Sequence, residues 1–254
     1  MERDAADRFA ALVPDLGSSA HLDEVLLLVA AHLDPALDVE REVARLDDLA
    51  AGVAEPTFDS VRDHLYGDLG FAGDEVDYYD ARNSLLPAVL DRRRGIPITL
   101  AVVVMEVGRR VGIAVEGVGM PGHFLARDPR RRERLLDPFT GSWLDVAGCR
   151  AIFDRLAPGA AWDDAHLRAA PPRDIVLRVL ANLAGAQRRA GDRDGLCRIL
   201  DLRLRLPGAS AGERRELGLL LGASGRFDEG ADLLEAAGAD PDREAAARLR
   251  ARLN

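Results

Sequence analysis

The chain of 254 residues is 48% hydrophobic and carries 43 acidic against 34 basic residues, a formal charge of -9. That length supports a full core, built as one large domain or as one domain with a smaller appendage. The acidic balance argues against a sequence-independent grip on nucleic acid phosphate. The longest apolar run, "ITLAVVVM", is too short to span a bilayer, and "MERDAADRFAALVPDLG" has no basic segment leading into an apolar core. The expectation is therefore a cytoplasmic protein with neither nucleic acid nor membrane as partner.

Up to about residue 94 the sequence predicts short helices separated by turn signals: "ADRFAALV", "HLDEVLLLVAAHL", "DVEREVARLDDLAAGV", "TFDSVRDHLYGDLG" and "ARNSLLPAVLDRR". In the second of these Leu22, Val25, Leu26, Val29 and Leu33 form one apolar stripe, while Asp23 and Glu24 suit the positive end of the helix dipole. Ser84 and Asn83 in "RNSLL" read as a helix start, with Asn83 able to cap it. The next helix, Pro97 to Arg110, has almost no polar face and is expected to be buried on nearly every side. Proline suits its first position because it has no amide proton to leave unpaired, and Gly112 suits the left-handed stop after its last turn.

The periodicity then changes. "VEGVGMPGHFLAR" and "RLLDPF", separated by the polar "DPRRRE", predict a β-hairpin. Centred near Arg130, that hairpin sets His123 directly opposite Asp137. Glycines in "EGVGMPGHF" allow sharp turns or close backbone approach, and Gly122 is expected to line the site beside His123. Helices, a buried helix and then strands make an α+β domain.

After a break around "APPRDI" the chain is helical again. A shift of 34 residues lays Leu183 on Leu217, Gly191 on Gly225, Leu200 on Leu234 and Pro207 on Pro241. Thirty-four is the period of the tetratricopeptide helix-turn-helix unit, which "ELGLLLGASGRFDEGADLLEAAGADP" resembles. An alanine expected in the second helix of each unit is replaced by Leu196 and Gly230. Two units are too few for a free solenoid, so the reading is a domain at 1–168 with a tetratricopeptide-like helical appendage at 169–254 packed upon it.

The two cysteines, Cys149 and Cys197, have no ligand-type neighbours, and the five histidines form no metal-binding pair, so neither a disulfide framework nor a metal site is expected. A histidine opposite an aspartate on a hairpin, after a buried helix, is instead the layout of a thiol-dependent acyl transferase. There a helix N-terminus lowers a cysteine's pKa, the imidazole shuttles a proton, and the carboxylate fixes the imidazole's tautomer.

The stretch "NSLLPAVLDRRRGIPITLAVVVMEVGRRVGIAVEGVGMPGHFLARDPRRRERLLDPFTG" resembles the transglutaminase-like superfamily, with its papain-like fold, and more closely the SirB1 branch, which also occurs beside an F-box in some eukaryotic ubiquitin-ligase components. The resemblance gives the base to His123 and the orienting acid to Asp137. Laid on Gly95, Ala101, Gly112 and Ile113, it puts the nucleophilic cysteine at Pro97, which has no nucleophile. Both real cysteines follow His123 in the chain, whereas the family's nucleophile precedes it. Thr99, also in the first turn, is the remaining candidate hydroxyl, and a helix-end hydrogen-bonding role is its plainer reading. Asn83, Pro97, Gly122 and Phe124 are the expected cleft residues. "DRRRG" and "DPRRRER" flank the cleft as solvated faces or as a positive collar.

The function implied is a pseudoenzyme that binds a protein or peptide partner, without a cofactor. The alternatives are a cysteine-independent amide hydrolase or acyl transferase using His123 and Asp137, and a helical structural protein in which the pair is incidental.

Overall fold

Apolar residues at helical spacing, closed by side-chain caps, set the N-terminal half. A computed structural model describes residues 2–16 and 22–253, so His21, read above as the start of the second helix, lies outside the described residues. Helices α1 (Glu2–Leu12), α2 (Leu22–Leu33), α3 (Val39–Ala51) and α4 (Phe58–Arg62) come first, and α4 runs on into a π-helical turn at Asp63–Asp68. Asp38 caps α3 through the Arg41 amide at 3.0 Å and Thr57 caps α4 through the Ser60 amide at 3.1 Å. Next come α5 (Leu86–Arg92) and α6 (Pro97–Arg110), separated by β2 (Arg94–Gly95), which pairs in parallel with β1 (Ala72–Gly73). That short parallel pair has no alternating signature and was not anticipated.

Helix α6 begins at Pro97, as its fixed φ and missing donor favour. Leu100, Ala101, Val102, Val103, Val104 and Val107 are all buried along it. Removing a Leu or Val side chain of this kind from water contributes about 1.5–3 kcal/mol, so α6 is the axis on which the surrounding helices and strands pack.

The region expected to form one hairpin is a four-stranded antiparallel meander: β3 (Glu116–Val118), β4 (Leu125–Arg127), β5 (Leu135–Asp137) and β6 (Ser142–Leu144), hydrogen-bonded in that order. "VEGVGMPGHFLAR" is therefore two strands rather than one. The break is the Met120–Pro121–Gly122–His123 turn, closed by the His123 amide on the Met120 carbonyl at 3.0 Å, with Gly122 at φ +73°. Proline followed by a left-handed glycine is the chemistry of a type II turn. The register also differs from expectation. Ala126 pairs with Leu136 and Arg127 with Leu135, so the β4–β5 hairpin is centred on residue 131 rather than 130. The shift moves His123 from directly opposite Asp137 to its diagonal neighbour on the same face.

The sheet has two apolar faces. Phe124, Ala126 and Leu136 join the main core with α2 and α6, whereas Val118, Leu125 and Leu135 form a second cluster with Cys149 and Phe153. The last two belong to α7 (Val146–Leu156), capped by Asp145 through the Gly148 amide at 2.7 Å.

The C-terminal region is helical: α8 (Pro172–Ala190), α9 (Arg193–Arg205), α10 (Ala211–Ala223), α11 (Phe227–Ala237) and α12 (Asp240–Arg250). Gly191 and Gly225 both turn the chain through left-handed φ, at +69° and +86°. At Gly230 a Cβ would lie 2.7 Å from the Gly218 carbonyl oxygen, so α10 and α11 meet backbone to backbone and nothing larger than glycine fits there. The main core does not stop at residue 168. Ile175, Val176, Val179, Leu180 and Leu183 of α8 lie buried in the cluster that holds Leu28 of α2 and Val104 of α6.

A chain ended at residue 168 loses those side chains and is expected to show no cooperative thermal unfolding by circular dichroism. One ended at Ala209, which keeps α8 and α9, should melt cooperatively at a lower temperature. A sharp transition from the shorter chain at the full-length temperature would contradict a core shared across this point.

Candidate functional site

The turn that splits β3 from β4 delivers His123 to the end of the sheet. Its Nε2 lies 2.8 Å from Oδ1 of Asp137, the last residue of β5. Asp137 also accepts from the Phe139 amide at 2.9 Å and from the Thr140 hydroxyl at 3.1 Å. Burial pushes this carboxyl up, but hydrogen bonding and charge from His123, with the Phe139 amide and Thr140 hydroxyl, outweigh it and hold the group below its ordinary value. An ionised carboxylate only accepts, so the hydrogen bond places a proton on Nε2 of His123. Nδ1 makes no hydrogen bond among the described residues, and the side chain is 11% exposed.

The first turn of α6 reaches the same end of the sheet through the backbone. The Asp74 amide donates to the Gly95 carbonyl at 3.0 Å, and the Gly73 amide donates to the Phe139 carbonyl at 2.7 Å. A Cβ on Gly73 would sit 2.2 Å from the Phe139 ring, so this crossing requires glycine. Beside it opens a cavity of about 730 Å³, lined by Gly73, Asp74, Arg82, Arg94, Phe139 and Thr140 among others.

None of the four expected cleft residues lines that cavity. Asn83 is fully buried: its Nδ2 donates to the Asp77 carbonyl at 2.7 Å, its Oδ1 accepts from Arg92 at 3.0 Å, and Asp80 rather than Asn83 caps the local 3-10 turn. Pro97 is buried at the helix start, and Phe124, on the strand face opposite to His123, packs in the core. Gly122 is exposed and faces Leu156 of α7. Thr99 is fully buried with its hydroxyl 2.6 Å from the Asn83 carbonyl and 3.1 Å from that of Ile96. The candidate hydroxyl is thus a helix-start anchor, and no hydrogen bond among the described residues joins it to His123.

Nor does the first arginine run form a collar. Arg92 pairs with Asp74 at 2.5 Å, while Arg93 and Arg94 donate to the Leu69 and Gly70 carbonyls, so "DRRRG" sews the 69–74 loop to α5 and α6. Asp74 is held below the usual carboxylate range by the Asp77 amide, against burial, with help from Arg92. Arg134 makes two bonds to Asp59 and lies over the Trp143 ring.

Cys149 is the thiol nearest in chemistry to the site. It is fully buried among Leu125, Leu135 and Phe153, and burial, then the charges of Asp145 and Asp137, push it up to about 11. The carboxylate that orients His123 therefore acts against a thiolate at this position. Cys197, on α9, is also pushed up by burial and lines a different cavity. Among the described residues neither cysteine hydrogen-bonds to His123.

The family model described as "Transglutaminase-like superfamily" matches residues 19–181. The chain belongs to the transglutaminase-like superfamily. It is 40% identical over 153 residues to a UPF0162 protein of Xylella fastidiosa, covering 58% of this chain and 54% of that protein. A UPF0162 protein of Pseudomonas aeruginosa is 36% identical over 180 residues, covering 67% of this chain and 66% of that one. Mouse F-box only protein 21 is 38% identical over 143 residues, 52% of this chain but 22% of its own length. The chain thus spans about half the length of the Xylella relative. No solved structure matches it. No helix among the described residues is long and apolar enough to cross a membrane.

Sequence reading missed Phe139 and Thr140. The signal was present in "DPFTG": a carboxylate followed by amide and hydroxyl donors two and three residues on is an Asx-type turn.

Because the folded-state pKa of Asp137 is depressed, its contribution to stability is full above the unfolded value, near pH 4, and is lost as pH falls through the folded one. Asp137→Asn should destabilise the protein by about 1.5–3 kcal/mol at pH 6–7. In urea titrations the gap from wild type should narrow below about pH 4; a gap independent of pH would contradict an ionised, hydrogen-bonded Asp137.

Proposed function

We propose that this chain is a SirB1-type member of the superfamily that has no thiol chemistry and acts as a protein- or peptide-binding module, a pseudoenzyme in the cytoplasm. The observation that carries the reading is the tip of α6. It presents Pro97 where the resemblance calls for a cysteine, and the one nearby hydroxyl, Thr99, is buried and bonded to backbone. The similarity to F-box only protein 21 supports a module, since the matched segment is 22% of that longer protein.

The partner is assigned to the C-terminal helices. Hairpins α8–α9 and α10–α11 follow one another at the 34-residue spacing of the sequence repeat, with left-handed glycines at matching turns, which favours tetratricopeptide-like units. Between them and α1–α2 lies a groove of about 770 Å³, walled by Leu217, Leu221 and Leu233 with Asp201, Arg205 and Arg226. An apolar floor with charges of both signs suits a peptide carrying apolar anchors and mixed charge.

A second reading keeps residual catalysis. His123, with its proton on Nε2 and Nδ1 unbonded, is arranged as a general base for water. The two readings separate in one experiment. The full chain is panned against a peptide library and assayed for amide hydrolysis on the peptides retained. The binding reading expects retention that falls at least about tenfold in Leu233→Glu, is unchanged in His123→Ala, and comes without turnover. Turnover abolished in His123→Ala, with binding intact, would replace it by the general-base reading.

A further inference from the structure

On the α7 side of the sheet, away from the helical groove, three arginines, Arg127, Arg132 and Arg168, line a cavity of about 410 Å³ together with Val146, Asp164, Leu167 and Ala169. We propose that this cavity is a binding site for a small, multiply charged oxyanion, phosphoryl or carboxylate.

Arg127 gives the site a fixed floor. It lies on β4 at the same strand parity as Leu125, and its side chain is only 4% exposed. Its Nε donates to Glu116 at 2.5 Å, across the β3–β4 pair, which sets the orientation of the planar guanidinium. Neither Nη nitrogen makes a hydrogen bond among the described residues. A guanidinium held at one edge offers its other edge as a fork of parallel donors, the shape that fits two oxygens of one carboxylate or phosphate.

The side chains of Arg132 and Arg168 are exposed and make no hydrogen bond or ion pair among the described residues; the Arg168 backbone amide donates to the Ala165 carbonyl at 3.1 Å. Many of the chain's other arginines are committed, Arg110 to Asp23, Arg134 to Asp59 and Arg188 to Glu216, whereas these two line a cavity with their side chains unpaired. The wall is not uniformly positive. Asp164 is the carboxylate in it, and its Oδ1 accepts from Trp162 at 2.8 Å. Three cations against Asp164 and Glu116 still leave the cavity positive within a chain of formal charge -9. Val146 opens α7 at the same wall, but the Asp145 carboxylate already caps that helix through the Gly148 amide, so the attraction rests on the cation cluster. Long arginines that are free in the absence of ligand can fold over an anion resting on Arg127.

The test is isothermal titration of the full chain at low salt with pyrophosphate and, separately, with citrate. We expect one-to-one binding with a Kd below about 1 mM that weakens when salt is raised from about 50 to about 200 mM, since screening shortens the reach of the cations. Arg132→Ala with Arg168→Ala should weaken it roughly tenfold or more. A control, Arg130→Ala with Arg131→Ala, removes the same charge outside the cavity and should change it less than about twofold. Pyrophosphate binding alone assigns the phosphoryl class and citrate alone the carboxylate class; each supports the site. No binding of either anion to protein shown folded by circular dichroism would overturn it. So would equal weakening by the control pair, which would mean diffuse attraction.

Discussion

The start of α6 is fastened through one buried residue. Asn83 gives its amide protons to the 77–78 carbonyls, takes a bond from Arg92, and lends its own carbonyl to the Thr99 hydroxyl and, at 3.4 Å, to the Ile96 amide. Arg92 in turn holds Asp74, and the backbone of Gly73 and Asp74 joins Gly95 to Phe139. A buried amide that both donates and accepts rigidifies what it touches. Through it the axis of the core, the acidic 74–80 loop and the turn after β5 hold one arrangement, and the Asp137 carboxylate is presented to His123.

That arrangement fixes what chemistry the site supports. A helix start favours negative charge at its tip, and superfamily logic uses this to make a thiolate. Here the tip carries Pro97, which has no group to ionise, and the thiol that does approach the pair, Cys149, lies in an apolar cluster close enough to Asp137 and Asp145 to feel their charge. A thiol pushed up to about 11 stays protonated at neutral pH. The imidazole–carboxylate pair is intact, while every sulfur and hydroxyl considered as its partner is neutral, buried or bonded to backbone.

Most elements were legible because they rest on local rules. Pro97 and the apolar run behind it gave α6, and alternation with a polar turn gave a hairpin. Two failures have physical causes. "VEGVGMPGHFLAR" was read through its Pro-Gly as one strand, although that dipeptide is a turn signal, and β6 and α7 were passed over despite the Asp145 cap. The expected cleft residues lie away from the cavity beside Gly73 for another reason. Closeness in sequence to the expected nucleophile says nothing about which side of a strand or helix faces solvent: Phe124 neighbours His123 yet points into the core, and Asn83 is polar yet fully buried because it satisfies the Asp77 and Tyr78 carbonyls and accepts from Arg92. The contact of His123 with Asp137 survived a wrong register because the shift preserved the strand face.

The proposed absence of covalent chemistry is tested most directly by intact-mass spectrometry of the full chain after incubation with a reactive thioester acyl donor at neutral pH, beside His123→Ala. The account predicts no stoichiometric acyl adduct on either protein, and only slow, His123-independent modification of the partly exposed Cys197. A rapid adduct mapped to Cys149 or Thr99, and lost in His123→Ala, would contradict it.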